Sequence, residues 1–312
     1  MVSKKHIESA HQRIQPYIHN TPILTSSILN GLTGAALYFK CENFQKIGAF
    51  KARGALNFAL QLSKEELKNG LCTHSSGNHA QAVALAAQLL GTKAYIVMPK
   101  TAPQAKVDAT KGYGAIVTFC EATLQAREDT LATIQQKTKA VFIPPYNHDW
   151  IIEGQATCAK EILEELDALD FVITPVGGGG LLAGSALAAK YFSPKTTVIG
   201  AEPEGADDAY RSFQTGILIP SEHPNTIADG LLTTLGPINF EIIKQHVSEI
   251  NLVTDEEIVA AMKLIYQHLK IVVEPSSATV LALVLKRKAF FKEKRIALIL
   301  SGGNVDLGKL PF

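Results

Sequence analysis

Thr174-Pro175-Val176-Gly177-Gly178-Gly179-Gly180-Leu181-Leu182-Ala183-Gly184 reads as the end of a buried strand, a turn of four glycines and the start of an apolar helix. Four successive glycines let the backbone wrap tightly around an anion, and the helix N-terminus adds electrostatic attraction. A flexible linker is the plain alternative, but linkers rarely carry such apolar flanks. Gly178-x-Gly180-x-x-Ala183 also fits the dinucleotide fingerprint, and Glu202 closes the next apolar run about where a ribose-binding acid belongs. On this segment alone a nicotinamide dehydrogenase stays open. The window from Phe171 to Ala189 holds no charge, yet Pro175 and the glycines divide it into strand, loop and helix rather than a membrane span.

Outward from that turn, short apolar runs alternate with helical patterns. Strands are expected at Leu37–Cys41, Ala94–Met98, Ile116–Cys120, Val141–Ile143, Phe171–Thr174, Val198–Ala201 and Ile296–Leu300. Helices are expected at Ala52–Leu62, Asn78–Leu90, Thr123–Lys137, Ile152–Leu166, Leu181–Tyr191 and Glu256–Leu269. The alternation predicts an α/β fold with parallel sheet covered on both faces, and a site where strands hand over to helices. There is no repeat, low-complexity tract or Gly/Ser linker.

The 312 residues suffice for two domains or one large α/β unit, and 46% hydrophobic with 19% charged residues predicts an ordinary core. A net charge of +1 gives no reason to expect nucleic acid or an anionic membrane as partner. Cys41, Cys72, Cys120 and Cys158 show no metal spacing and read as reduced thiols. With no apolar signal region after Met1, a soluble, cytoplasmic protein is expected.

Three more junctions carry chemistry. In Gly48-Ala49-Phe50-Lys51-Ala52-Arg53-Gly54-Ala55-Leu56, a lysine opens a helical pattern among small and apolar neighbours. Burial and the helix dipole both lower a lysine pKa, leaving an amine able to condense with a carbonyl; most such lysines are structural or solvated. In His74-Ser75-Ser76-Gly77-Asn78-His79-Ala80-Gln81, two serines stand in capping position before an alanine-rich helix, either as a plain cap or as a grip for a carboxylate. Leu300-Ser301-Gly302-Gly303-Asn304 puts a hydroxyl at a strand end, where it is a turn residue or a donor to a ring nitrogen. Glu274-Pro275-Ser276-Ser277 opens a further helix. The acidic run Glu202-Pro203-Glu204-Gly205-Ala206-Asp207-Asp208 is a solvated loop by default, although its oxygens would suit Mg²⁺ or Ca²⁺.

Taken in order, these segments resemble the fold-type II pyridoxal-phosphate enzymes, the group of serine/threonine dehydratases and serine racemases. The resemblance runs from Thr21-Pro22-Ile23-Leu24-Thr25-Ser26-Ser27 to Ser301-Gly302-Gly303-Asn304-Val305-Asp306-Leu307 and is closest to serine racemase. It implies a two-lobed, tryptophan synthase β-like fold, with a large lobe of residues 1–69 and 148–312 and a small inserted lobe of 70–147. It implies Lys51 as the covalent tether of pyridoxal 5'-phosphate with Phe50 on the ring. Gly177, Gly178, Gly179, Gly180 and Leu181 would hold the phosphate, Asn78 the ring hydroxyl and Ser301 the pyridine nitrogen. Ser75, Ser76, Asn78 and His79 would surround the substrate carboxylate, with Ser76 as acid/base opposite Lys51 and Arg127 reaching the substrate side chain. Glu202, the Ala206 carbonyl and Asp208 would bind the divalent cation. The implied activity is deamination of L-serine and L-threonine, with serine racemisation at the same site; threo-3-hydroxyaspartate is the alternative substrate and a homodimer the expected assembly. Lys46, Ser26, Ser27, Gln81, Tyr113 and Asn304 match the ATP pocket of nucleotide-responsive racemases, making ATP a candidate effector. Ile47 departs from that pocket's hydroxyl residue, and Tyr146 stands where an asparagine is expected, with Asn147 beside it. No regulatory domain of the kind found in biosynthetic threonine dehydratases is expected.

Overall fold

Ten strands form two separate sheets in the computed structural model, which describes residues 2–312. They are β1 (Ile23–Leu24), β2 (Ala36–Cys41), β3 (Leu71–His74), β4 (Ala94–Pro99), β5 (Ile116–Cys120), β6 (Val141–Phe142), β7 (Phe171–Pro175), β8 (Thr197–Pro203), β9 (Glu249–Val253) and β10 (Arg295–Leu300). The larger sheet has the order β1-β2-β10-β7-β8-β9 and the smaller β5-β4-β3-β6. Every pairing is parallel except β1 with β2.

Parallel strands need helical crossovers, so both faces of such sheets are covered and their strands read as continuous apolar runs. In β10, Ile296, Leu298 and Leu300 join one core with Leu37 and Phe39, while Ala297 and Ile299 join the core on the opposite face with Val172 and Val198. The expected strands all form with ends shifted by at most two residues: β8 extends Val198–Ala201 to Thr197–Pro203, while β6 stops at Phe142, one residue short of Ile143. Sequence reading passes over β1, β3 and β9. The first is two residues long, β3 is a four-residue run ending in a histidine, and β9 buries only Ile250 and Val253.

The Lys51–Ala59 helix is shorter than the expected Ala52–Leu62, because Leu60 already forms its cap. It packs on the Asp149–Glu165 helix through facing glycines: a Cβ on Gly154 would stand 2.6 Å from the Gly54 Cα and 2.7 Å from the Arg53 carbonyl. Below it, the fully buried Arg53 guanidinium donates to Glu42 at 2.7 and 2.8 Å and to Glu161 at 2.7 and 2.8 Å, and Lys40 pairs with Glu161 at 2.7 Å. Such charges persist in a core only when every one is paired, and removing one partner strands the others. The network therefore fixes the helix on which Lys51 sits. No described helix is long and apolar enough to cross a membrane, and the four cysteines are buried and unpaired.

Candidate active site

Lys51 is the first residue of its helix. Its Nζ donates to the Pro145 carbonyl at 2.7 Å and lies 5.2 Å from the centre of the Phe50 ring and 5.9 Å from that of Tyr146. Burial lowers its pKa to about 8, against an opposing pull from Glu274. Desolvation is thus the operative cause of the shift.

Three of the glycine- and serine-bearing turns converge around this lysine. The Phe50 N–H donates to the Ser301 carbonyl at 3.0 Å, and Ala49 bridges Gly302. The Ser301 hydroxyl, itself buried, lies 3.2 Å from that of Ser277. Across the cleft the Tyr146 ring stacks on the tetraglycine turn: a Cβ at Gly178 would come within 2.3 Å of the ring. Gly179 has φ +85° and caps the Gly180–Phe192 helix, and a Cβ there would fall 2.4 Å from Leu235. Glycine is required here by conformation and by close packing together. Ala183 is the residue whose N–H reaches back to Gly179 O, at 2.8 Å; helix N–H groups ahead of it have no intrahelical acceptor and suit a phosphate.

At the other turn the plain-cap alternative for the two serines is not realised. Gly77 is the N-cap of Asn78–Leu89 and makes no side-chain cap bond. The Ser75 hydroxyl instead accepts the Gly77 N–H at 3.3 Å, a local turn that competes with capping. Ser76 is half-buried beside it. His79 is buried, and its Nε2 lies 2.9 Å from the Ile143 carbonyl. Because a carbonyl only accepts, Nε2 carries the proton. Burial, then the Lys51 charge, depress the His79 pKa to about 3, so the ring is neutral. Arg127 stands near His74, whose ring stacks on Phe142 with centroids 5.9 Å apart. The buried Nε of Arg127 has no hydrogen-bond partner.

Glu274 is the site residue that sequence reading missed. The Asn78 amide donates to its two oxygens at 2.9 and 3.2 Å, and Asn304 N–H donates at 3.3 Å. The Asn304 amide in turn reaches Asn78 Oδ1 at 2.8 Å and the Ile47 carbonyl at 2.7 Å, so one residue matched to a nucleotide pocket meets the network around Asn78. Burial raises the Glu274 pKa to about 7. A lone acid between Val272-Val273 and Pro275-Ser276-Ser277 was the available signal.

Glu202 and Asp208 are both fully buried. Glu202 accepts the N–H groups of Ala209 and Tyr210 at 2.9 and 2.7 Å, which leaves its carboxylate turned to a helix end rather than to a ribose. Asp208 Oδ2 accepts Leu235 N–H at 2.8 Å, while Oδ1 has no hydrogen-bond partner. Burial, then the Asp208 charge, push the Glu202 pKa well up; burial raises that of Asp208 to about 6, with the Leu235 N–H the largest pull the other way. Two buried carboxylates with an unused oxygen, beside the buried Ala206, fit a hard cation. Among the described residues no group of three or more His, Cys, Asp or Glu side chains gathers as a metal site.

An amine of lowered pKa, a glycine turn suited to a phosphate and a serine at a strand end are features that a pyridoxal-phosphate site would need. The chain belongs to the pyridoxal-phosphate-dependent enzymes, whose family model matches residues 14–302. It is 52% identical over 304 residues to a β-hydroxyaspartate dehydratase of Paracoccus denitrificans, covering 97% of this chain and 96% of the relative. The crystal structure of serine racemase from Dictyostelium discoideum superposes with a TM-score of 0.93 at 49% identity, covering 98% of this chain and 99% of that one. The structure of maize serine racemase does so with a TM-score of 0.96 at 44% identity, covering 98% and 95%. The fold is therefore that of fold-type II enzymes, and the dinucleotide reading of the glycine turn is set aside.

Proposed function

We propose that the protein is a pyridoxal-phosphate-dependent ammonia-lyase for β-hydroxy-α-amino acids, taking L-serine and L-threonine to pyruvate or 2-oxobutanoate and racemising serine at the same site. The observation that carries this reading is the Lys51 amine, lowered by burial to a pKa of about 8 and lying 5.9 Å from the centre of the Tyr146 ring, which also packs the glycine turn. Bound cofactor would supply the electron sink. Lys51 would tether it and remove the α-proton as general base. Gly177 to Gly180 and Leu181 would hold the phosphate, Asn78 the ring hydroxyl and Ser301 the ring nitrogen. Ser75, Ser76, Asn78 and neutral His79 would orient the substrate carboxylate, with the Ser76 hydroxyl returning a proton on the opposite face. Loss of the β-hydroxyl as water then yields an enamine that hydrolyses to 2-oxo acid and ammonia.

Residues 70–147 would act as the lobe that closes over the site, in a cytoplasmic homodimer with Mg²⁺ or Ca²⁺ at Glu202, Ala206 and Asp208 and ATP as effector. A second reading, threo-3-hydroxyaspartate as preferred substrate, is favoured by the unpartnered Arg127 Nε, which suits a second carboxylate, and by the likeness to the Paracoccus dehydratase. The test is 2-oxo acid release from L-serine, L-threonine and L-threo-3-hydroxyaspartate, beside chiral chromatography of serine. Ser76→Ala should abolish D-serine formation while sparing part of the deamination. A colourless protein that releases no 2-oxo acid from any of the three would end the lyase reading.

A further inference from the structure

The tetraglycine turn is held from behind by one segment, residues 231–239. A Cβ on Gly177 would lie 2.9 Å from the Leu231 Cα, and one on Gly179 would lie 3.0 Å from the Asn239 Cβ. The Gly178 carbonyl is fixed twice, by Gly236 N–H at 3.1 Å and by the Asn239 side-chain amide at 2.6 Å. That amide also points at the Tyr146 carbonyl, at 3.4 Å. Both neighbours are acceptors, so the NH₂ group must face them. Asn239 is fully buried, and its Oδ1 has no partner, so the residue is spending one polar atom to place the other. The same segment is tethered at its middle by Asp208, whose Oδ2 accepts Leu235 N–H at 2.8 Å while Oδ1 stays unpartnered.

We infer that Asn239 is a positioning residue that relays the state of the Glu202–Asp208 carboxylate pair to the phosphate turn, through Leu235, Gly236 and the Gly178 carbonyl. A cation drawing on Asp208 Oδ1 shifts the carboxylate that holds Leu235, and the segment carries that shift to Gly178. Linkage makes the effect reciprocal: what tightens the turn on a phosphate also tightens the carboxylate pair on the cation. The inference rests on the pyridoxal-phosphate reading of the turn.

The test uses the full chain loaded with pyridoxal 5'-phosphate, or with pyridoxal, which lacks the phosphate, with and without Mg²⁺. In wild type, Mg²⁺ should slow release of pyridoxal 5'-phosphate roughly five- to tenfold, about the worth of one well-placed hydrogen bond, and move the ³¹P resonance of the bound phosphate. Release of pyridoxal should stay unchanged. In Asn239→Leu, and in the isosteric Asn239→Asp, Mg²⁺ should still raise the melting temperature but no longer change the phosphate resonance or the release rate, the non-additivity expected of one coupled path. Equal effects of Mg²⁺ on both cofactor forms, an unmoved ³¹P resonance in wild type, or full Mg²⁺ response in the variants would each overturn the relay. Wild type that takes up no pyridoxal 5'-phosphate would instead sink the underlying reading of the turn.

Discussion

At the scale of the residue, the decisive quantity is the protonation of Lys51. With a pKa of about 8, half of its amine is neutral at pH 8, where an ordinary lysine would be almost wholly charged. Capture of pyridoxal 5'-phosphate by cofactor-free protein should therefore speed up as pH rises and level off above about 8. Glu274 is the charge that opposes this shift, so Glu274→Gln should move the midpoint of capture to lower pH. Stopped-flow growth of the visible band checks both, and a midpoint near that of free lysine would contradict the burial argument. The stability signs follow. A lysine with depressed pKa destabilises the fold below its folded value, and this is relieved as pH rises through about 8 and beyond. Glu274, raised to about 7, costs stability increasingly from its ordinary range up to about 7 and by a constant amount above it. Lys51→Ala should abolish turnover and leave no covalently held cofactor, measured by the absence of a borohydride-fixed adduct.

At the scale of the element, the Lys51–Ala59 helix is placed by its contact with the Asp149–Glu165 helix. That contact has no room for a side chain at Gly154, where a Cβ would meet the backbone of Gly54 and Arg53. Gly154→Ala should destabilise the protein by about 1–3 kcal/mol, the usual penalty of overpacking. It should also weaken cofactor retention, because the helix would have to lift and carry Lys51 away from Phe50 and Tyr146. Thermal unfolding with and without added cofactor separates the two effects. Wild-type melting in Gly154→Ala would mean that the helices approach less closely than described.

At the scale of the molecule, the two sheets are joined across the mouth of the site. Lys106, on the Gln104–Gly112 helix beside the smaller sheet, forms an ion pair with Asp229, which opens the short turn Asp229–Leu231 ahead of the glycine-backing segment. Asp229 is half exposed, so the pair contributes less than about 1 kcal/mol and weakens with salt. If residues 70–147 close over substrate, Asp229→Asn should raise KM a few-fold with little change in melting temperature, and the rise should disappear in high salt, where wild type has already lost the pair. Exchanging the charges, Lys106→Asp with Asp229→Lys, should restore KM. A KM unaffected by the single variant at low salt would show that this pair does not govern closure.

By itself the sequence determined the α/β class, because a run such as Ile296–Leu300 is buried on both faces and leaves no alternation to mistake for another architecture. It also marked the glycine turn as a candidate anion site, since four consecutive glycines between apolar flanks have few other physical reasons to exist, whereas Lys51 stood out only through its order with the other motifs, most such lysines being structural or solvated. Only the tertiary structure decided the rest. Glu274 joins the site through Asn78, 196 positions away, and Asn239 meets Gly178 across 61 positions. Of the two roles left open for Ser75 and Ser76, helix capping is the one the fold does not use, because Gly77 is the N-cap and Ser75 accepts its N–H. Glu202 kept its place at a strand end, but its partners turned out to be the N–H groups of the following helix. Periodicity and local propensity report what a residue does to its own segment; which distant groups satisfy its hydrogen bonds and charge is settled only when the chain folds back on itself.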